Sequence, residues 1–83
     1  TSEQCSMMVR ALFKEGKGEQ AESWAELSLN KWPDEEQSYF NLLYIKYNLE
    51  KKEDFYKVLD ELKGSGIPLS PKGLDIIRYW LSR

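Results

Sequence analysis

Histidine is absent from this 83-residue chain, and cysteine occurs once, at Cys5. Without a second thiol the chain closes no internal disulfide. That suits a reducing intracellular setting, without distinguishing cytoplasm, nucleus or organelle matrix. A structural zinc site built from Cys and His is excluded. So is every Ser-His or Cys-His nucleophilic couple. No cofactor is called for, and the chain reads as a non-enzyme. Long apolar runs are missing too: nothing approaches the ~20 residues of a membrane span, and no secretory core or Arg-rich transit segment opens the chain. Proline (three) and glycine (five) are few, so their positions read as punctuation.

The chain contains 41% hydrophobic and 31% charged residues, with 13% aromatics that supply large buried area per residue. It lies near the small end of what folds alone. It starts at Thr1 and ends at Arg83 without terminal punctuation, which suggests a piece of a longer protein. Net charge is −2, unevenly spread. Residues 1–36 carry four basic and eight acidic groups; residues 37–83 carry eight basic and six acidic. Neither part has the dense positive charge of a stand-alone nucleic-acid binder.

Self-similarity appears at an offset of 35 residues. Pro33 aligns with Pro68, Ala25-Glu26-Leu27 with Asp60-Glu61-Leu62, and Tyr44 with Tyr79. Such a period marks stacked helical hairpins, which build binding surfaces rather than catalytic pockets. The alternative is a plain helical bundle with a chance period. Punctuation by Gly16, Pro33, Gly66 and Pro68 argues against it.

Five helices are predicted, and no strand. The first, over about residues 3–15, is capped by Thr1 or Ser2 and carries Cys5, Met8, Val9 and Leu12 on one face. The second, over about 19–31, has Ala21, Trp24, Ala25 and Ser28 as its inner stripe and ends at Trp32-Pro33. Asp34 opens the third, over about 35–49, with Gln37 at capping-box spacing. That helix is apolar on two faces: Tyr39, Leu42, Leu43 and the Lys46 stem on one, Phe40, Tyr44 and Tyr47 on the other. The fourth, over about 53–63, should bury Phe55, Val58, Leu59 and Leu62. Ser70 caps the fifth, with Pro71 at its first position and Leu74, Ile77, Trp80 and Leu81 on its apolar side. Trp24, Trp32 and Trp80 are expected in packing roles. Short connections make successive helices antiparallel neighbours.

Gly16, then Ala21, Ser28, Leu29 and Pro33, followed by Tyr39 and Leu42, resemble a tetratricopeptide repeat. The resemblance covers most of the chain: repeat 1 at residues 1–34, repeat 2 at 35–69 and a closing helix at 70–83. It implies an all-α, right-handed α–α superhelix of antiparallel hairpins that binds a protein or peptide segment along its first, third and fifth helices. Repeat 2 departs from the pattern. Glu50 stands where glycine is expected, and Phe55 where a small residue is expected, which should push the fourth helix outward. Residues 38–47 (SYFNLLYIKY) and 55–67 (FYKVLDELKGSGI) also resemble a pentatricopeptide repeat, an RNA-binding relative. Pro68 falls one position early for that family, and Trp32 stands where its glycine belongs.

On the tetratricopeptide reading the groove receives Ser6, Arg10, Phe13 and Lys14 from the first helix. Gln37, Phe40, Tyr44, Tyr47 and Asn48 come from the third, and Lys72, Asp75 and Tyr79 from the fifth. Phe40, Tyr44 and Tyr47 would be anchors, with Arg10, Lys14, Lys72 and Asn48 as orienting donors. The alternative is that the three aromatics pack on adjoining repeats or a further helix layer. On the pentatricopeptide reading Asn41 and Ser70 would read a base, against the alternative that Asn41 is merely solvated or locally bonded. A third reading is a structural cap or oligomerisation element. The acidic pairs Glu35-Glu36 and Glu53-Asp54 suit helix N-termini rather than a metal. Cys5 reads as a small buried hydrophobe.

Overall fold

The computed structural model describes residues 2–82. These form five α-helices and no strand: α1 (Ser2–Lys14), α2 (Gly18–Lys31), α3 (Glu36–Asn48), α4 (Lys52–Gly64) and α5 (Pro71–Leu81). For α1 to α4 each end falls within about one residue of the predicted one, and α5 starts at Pro71 as predicted. Ser2, one candidate cap, is the first residue within α1, and Thr1, the other, lies outside the described residues.

The first two hairpins share one layout. α3 begins and ends 34 positions after α1, and α4 begins 34 after α2. Buried residues recur at the same spacing: Val9 with Leu43, Ala21 with Phe55, Ala25 with Leu59, Ser28 with Leu62. The turns match as well. Gly16 is left-handed at φ +79°. Its amide donates to the Phe13 carbonyl at 3.0 Å, and the Lys17 amide donates to Leu12 at 2.8 Å. At 34 positions on, Glu50 is left-handed at φ +60°. Its amide donates to Tyr47 at 3.1 Å, and the Lys51 amide donates to Lys46 at 2.9 Å. Both are Schellman closures, and in the second a glutamate does what glycine does in the first.

Small residues decide how α2 packs. Ala21, Ala25 and Ser28 are wholly buried, so α2 lies close to both α1 and α3. α3 is the central helix, in contact with α1, α2 and α4. Burial of Ser38, Phe40, Asn41, Leu42, Leu43, Ile45 and Lys46 runs around most of its circumference. α4 is amphipathic and buries Phe55, Val58, Leu59 and Leu62, as its spacing predicts. Phe55 enters the core between α3 and α4, which are in contact.

Several expectations are corrected. α3 starts at Glu36 with Glu35 at its cap and no side-chain cap bond, so the capping box from Asp34 to Gln37 does not form. Gln37 bonds to Ser6 and Asn41 instead. Met8 and Trp24 are 42% and 38% exposed rather than core residues, because no helix lies on the outer side of the first hairpin. α5 does not repeat the placement of α3. Tyr39 is half-buried against the core, whereas Leu74 is 43% exposed. The connection before α5, residues 65–70, is longer than residues 32–35 before α3. No other helix backbone runs alongside α5.

α5 is attached by side chains. Trp80 meets Phe40, Tyr47 and Phe55 with ring centroids 6.4, 6.2 and 5.8 Å away. Ser70 caps the helix, accepting from the Gly73 amide at 3.0 Å. The Ser70 amide donates to Glu36 Oε2 at 3.0 Å. Gly73 permits this contact, since a Cβ there would lie 2.9 Å from both Phe40 Cζ and Glu36 Oε2.

A candidate peptide-binding cleft

A cleft of about 350 Å³ opens among α1, α3 and α5. Ser6, Val9 and Arg10 line it from α1; Gln37, Phe40, Asn41 and Tyr44 from α3; Lys72, Asp75, Ile76, Tyr79 and Trp80 from α5. Eight of these are residues that the tetratricopeptide resemblance implies for a groove: Ser6, Arg10, Gln37, Phe40, Tyr44, Lys72, Asp75 and Tyr79.

Tyr44 stands at the centre. The Arg10 guanidinium lies over its ring, 5.4 Å from the centroid, a cation–π contact. Phe13 meets the same ring edge-on at 6.2 Å. Phe13 therefore supports Tyr44 from within the core cluster and does not line the cleft. Phe40 is only 6% exposed and packs under Trp80, so it forms floor rather than a free anchor. Lys72 and Tyr79 are exposed on the α5 rim.

The remaining candidates lie elsewhere. Lys14 is exposed outside the cleft. Tyr47 and Asn48 border a second cavity of about 650 Å³ with Lys51, Lys52, Phe55, Tyr56 and Trp80. Asn48 lies there with one Nδ2 hydrogen donated to the Tyr44 carbonyl at 2.7 Å. Tyr47 packs on Phe55 and Trp80.

Asn41 is not solvated, and only one of its bonds is local, the one from Gln37. It is 2% exposed. Its Nδ2 donates to the Ser2 carbonyl at 3.2 Å and to Ser28 Oγ at 3.3 Å, and its Oδ1 accepts from Gln37 Nε2 at 3.0 Å. Ser28 Oγ donates to Ser38 Oγ at 3.4 Å. This network ties α1, α2 and α3 in one register, and among the described residues no buried side-chain N or O lacks a partner. Both amide hydrogens being committed, Asn41 has no donor left for a base edge. The Ser70 hydroxyl is used as a helix cap.

Sequence reasoning missed an ionic cluster. Lys46 is 9% exposed. It bonds Glu22 and lies 3.7 Å from Glu26 and 3.8 Å from Asp54. Lys51 adds a second contact to Glu22 at 2.9 Å. Burial raises the Glu22 carboxyl, but hydrogen bonds and charge from Lys46 and Lys51 outweigh it and hold the group below its ordinary value. The hydrogen bond to Glu22 in turn raises Lys51. The available signal was a lysine inside an otherwise apolar stripe of α3. Among the described residues no group of His, Cys, Asp and Glu could hold a metal ion. No helix there is long and apolar enough to cross a membrane. No family model, curated protein or solved structure matches the chain.

Proposed function

We propose that the chain is a non-catalytic interaction module that takes a peptide or protein segment in the cleft among α1, α3 and α5. One observation carries this reading: polar and aromatic residues from three separate helices converge on a single concavity around Tyr44. An aromatic face, a guanidinium and an amine within one cleft offer apolar area with little entropy cost, plus donors for a backbone or carboxylate. A volume of about 350 Å³ suits one or two anchoring side chains rather than a long buried segment. Lack of histidine and burial of the lone Cys5 favour binding over nucleophilic chemistry and fit a reducing, intracellular setting. The committed amide of Asn41 and the acidic first hairpin weigh against the RNA reading.

The test is selection of binders from a random peptide library, followed by amide and side-chain NMR titration. Shifts should centre on Arg10, Tyr44 and Tyr79. Perturbation confined to α2 or α4 would refute the site.

A second reading, a cap or self-associating element, is favoured by where apolar surface is left open. Met7, Met8, Trp24 and Leu27 are exposed on the first hairpin and Tyr56, Leu74, Tyr79 and Leu81 on α4 and α5, while α3 exposes no large hydrophobic residue.

A further inference from the structure

α5 is seated on the molecule with little backing. No other helix backbone runs alongside it, and among its described residues only Gly73 is buried. Trp80 carries the contact, with Ile76 and Ile77 partly buried against the core. Its ring borders both cavities, so open space remains around the anchor. An element held by so few buried groups opens at low cost relative to the core. The connection before α5 favours an extended chain. Ile67 precedes Pro68 and Ser70 precedes Pro71, and a residue before proline avoids the helical region. Ser70 is extended, at ψ 159°. Fully drawn out, residues 65–70 span about 20 Å, comparable to the shortest dimension of the molecule.

We infer that the aromatic surface formed by Phe40, Tyr47 and Phe55 is an exchange site whose partner is α5 of a second copy. Two chains swap their last helix, and each Trp80 docks on the other chain's three rings. The fit of this partner is visible in the single chain. α5 already occupies that surface, with Trp80 at 6.4, 6.2 and 5.8 Å from the three ring centroids. The Ser70 amide bonds Glu36 at 3.0 Å, and Gly73 lies so close to Phe40 that a Cβ would stand 2.9 Å from its ring. Both contacts re-form between chains. Exchange therefore sacrifices no docking contact and only replaces docking in cis by docking in trans. A short flexible tether gives the cis contact an effective concentration on the order of 1 mM, so the exchanged dimer fills as the protein approaches that level. Reciprocal exchange closes a two-fold dimer with no surface left open for a third chain. Each cleft then takes Lys72, Asp75 and Tyr79 from the other chain, so its lining is unchanged and exchange stands apart from peptide binding.

Isotope-filtered NMR of an equimolar mixture of labelled and unlabelled full chain, equilibrated at millimolar concentration, tests this. Intermolecular Overhauser contacts should join Trp80 of one copy to Tyr47 and Phe55 of the other, and the sedimentation mass should rise towards twice the monomer. Trp80→Ala should remain monomeric. Deleting residues 67–69 prevents α5 from folding back on its own chain. That variant should be dimeric at concentrations at least tenfold lower than the wild type requires, with the same intermolecular contacts. It keeps the test readable should the Trp80 variant lose its fold. A wild-type chain that stays monomeric at millimolar concentration overturns the inference, as does a shortened chain that stays monomeric. A dimer without intermolecular Trp80 contacts also overturns it, while leaving self-association through another surface standing.

Discussion

Trp80 stacks on Tyr47 with ring planes 29° apart and centroids 6.2 Å apart. This pair, with the edge of Phe55 at 5.8 Å, joins α5 to the body formed by the first four helices. The indole is the hub on which the shape of the cleft depends.

Trp80→Ala should therefore detach α5 and leave the two hairpins folded. Loss of a half-buried tryptophan from an aromatic cluster costs roughly 2–3 kcal/mol. Hydrogen exchange is the discriminating measurement. Amides of α5 should lose protection while those of α3 keep theirs. Uniform loss across all five helices would mean that α5 is integral to the core.

Glu50 and Gly16 make a matched pair. Both are left-handed residues in equivalent turns, and nothing lies within 4 Å of a Cβ built at Gly16. Steric cost at these positions is thus a matter of backbone alone. Glu50→Gly should stabilise the chain by roughly 0.5–1 kcal/mol, and Gly16→Ala should destabilise it by about 1 kcal/mol. Thermal melts of the two variants should move in opposite directions.

Helix boundaries and the α4 stripe of Phe55, Val58, Leu59 and Leu62 were legible in the sequence because both are local: they depend on capping, punctuation and spacing within one helix. Much of the cleft was legible through the tetratricopeptide resemblance, which implies the register of each first helix that faces a groove; residues on one register then share a face whatever lies opposite. Asn41 and Lys46 were not, because the partners that explain their burial, Ser2 and Ser28 for one and Glu22, Glu26 and Asp54 for the other, come from other helices. Trp24 misled for the converse reason. Its spacing matches the Ala21–Ala25–Ser28 stripe, but a side chain is buried only where a neighbour covers it.

Asn41→Ala should cost about 2–3 kcal/mol. It removes two donors and an acceptor, stranding the Ser2 carbonyl, Ser28 Oγ and Gln37 in or beside the core. Denaturant unfolding gives the number. A loss under about 0.5 kcal/mol would show that water replaces the amide.

Glu22 makes the fold sensitive to acid. Its folded-state carboxyl titrates below the ordinary value of 4.5. Its contribution is therefore full above that value and is lost as pH falls through the lower folded one. The raised Lys51 acts at the opposite extreme: its contribution is present below 10.5 and disappears as pH rises through the higher folded value. Glu22→Gln should flatten the acid limb of the stability profile. At neutral pH it should cost about 2 kcal/mol, tempered by the nearby Glu26 and Asp54, because buried Lys46 loses its hydrogen-bonded carboxylate.

Tyr44 and Phe40 separate a binding surface from a packing surface. Phe40 is buried beneath Trp80, so Phe40→Ala should cost about 3–4 kcal/mol and loosen α5 along with any binding. Tyr44 is half-buried, with Phe13 at its edge and Arg10 over its face. Tyr44→Ala should cost only about 1–2 kcal/mol and keep the helical spectrum, yet reduce affinity for a selected peptide at least tenfold. Arg10→Ala removes the cation over the ring and should weaken binding by a smaller factor that shrinks further at high salt. Retention of full affinity by a folded Tyr44→Ala variant would move the binding surface away from this cleft, since no other exposed ring lies within it except Tyr79.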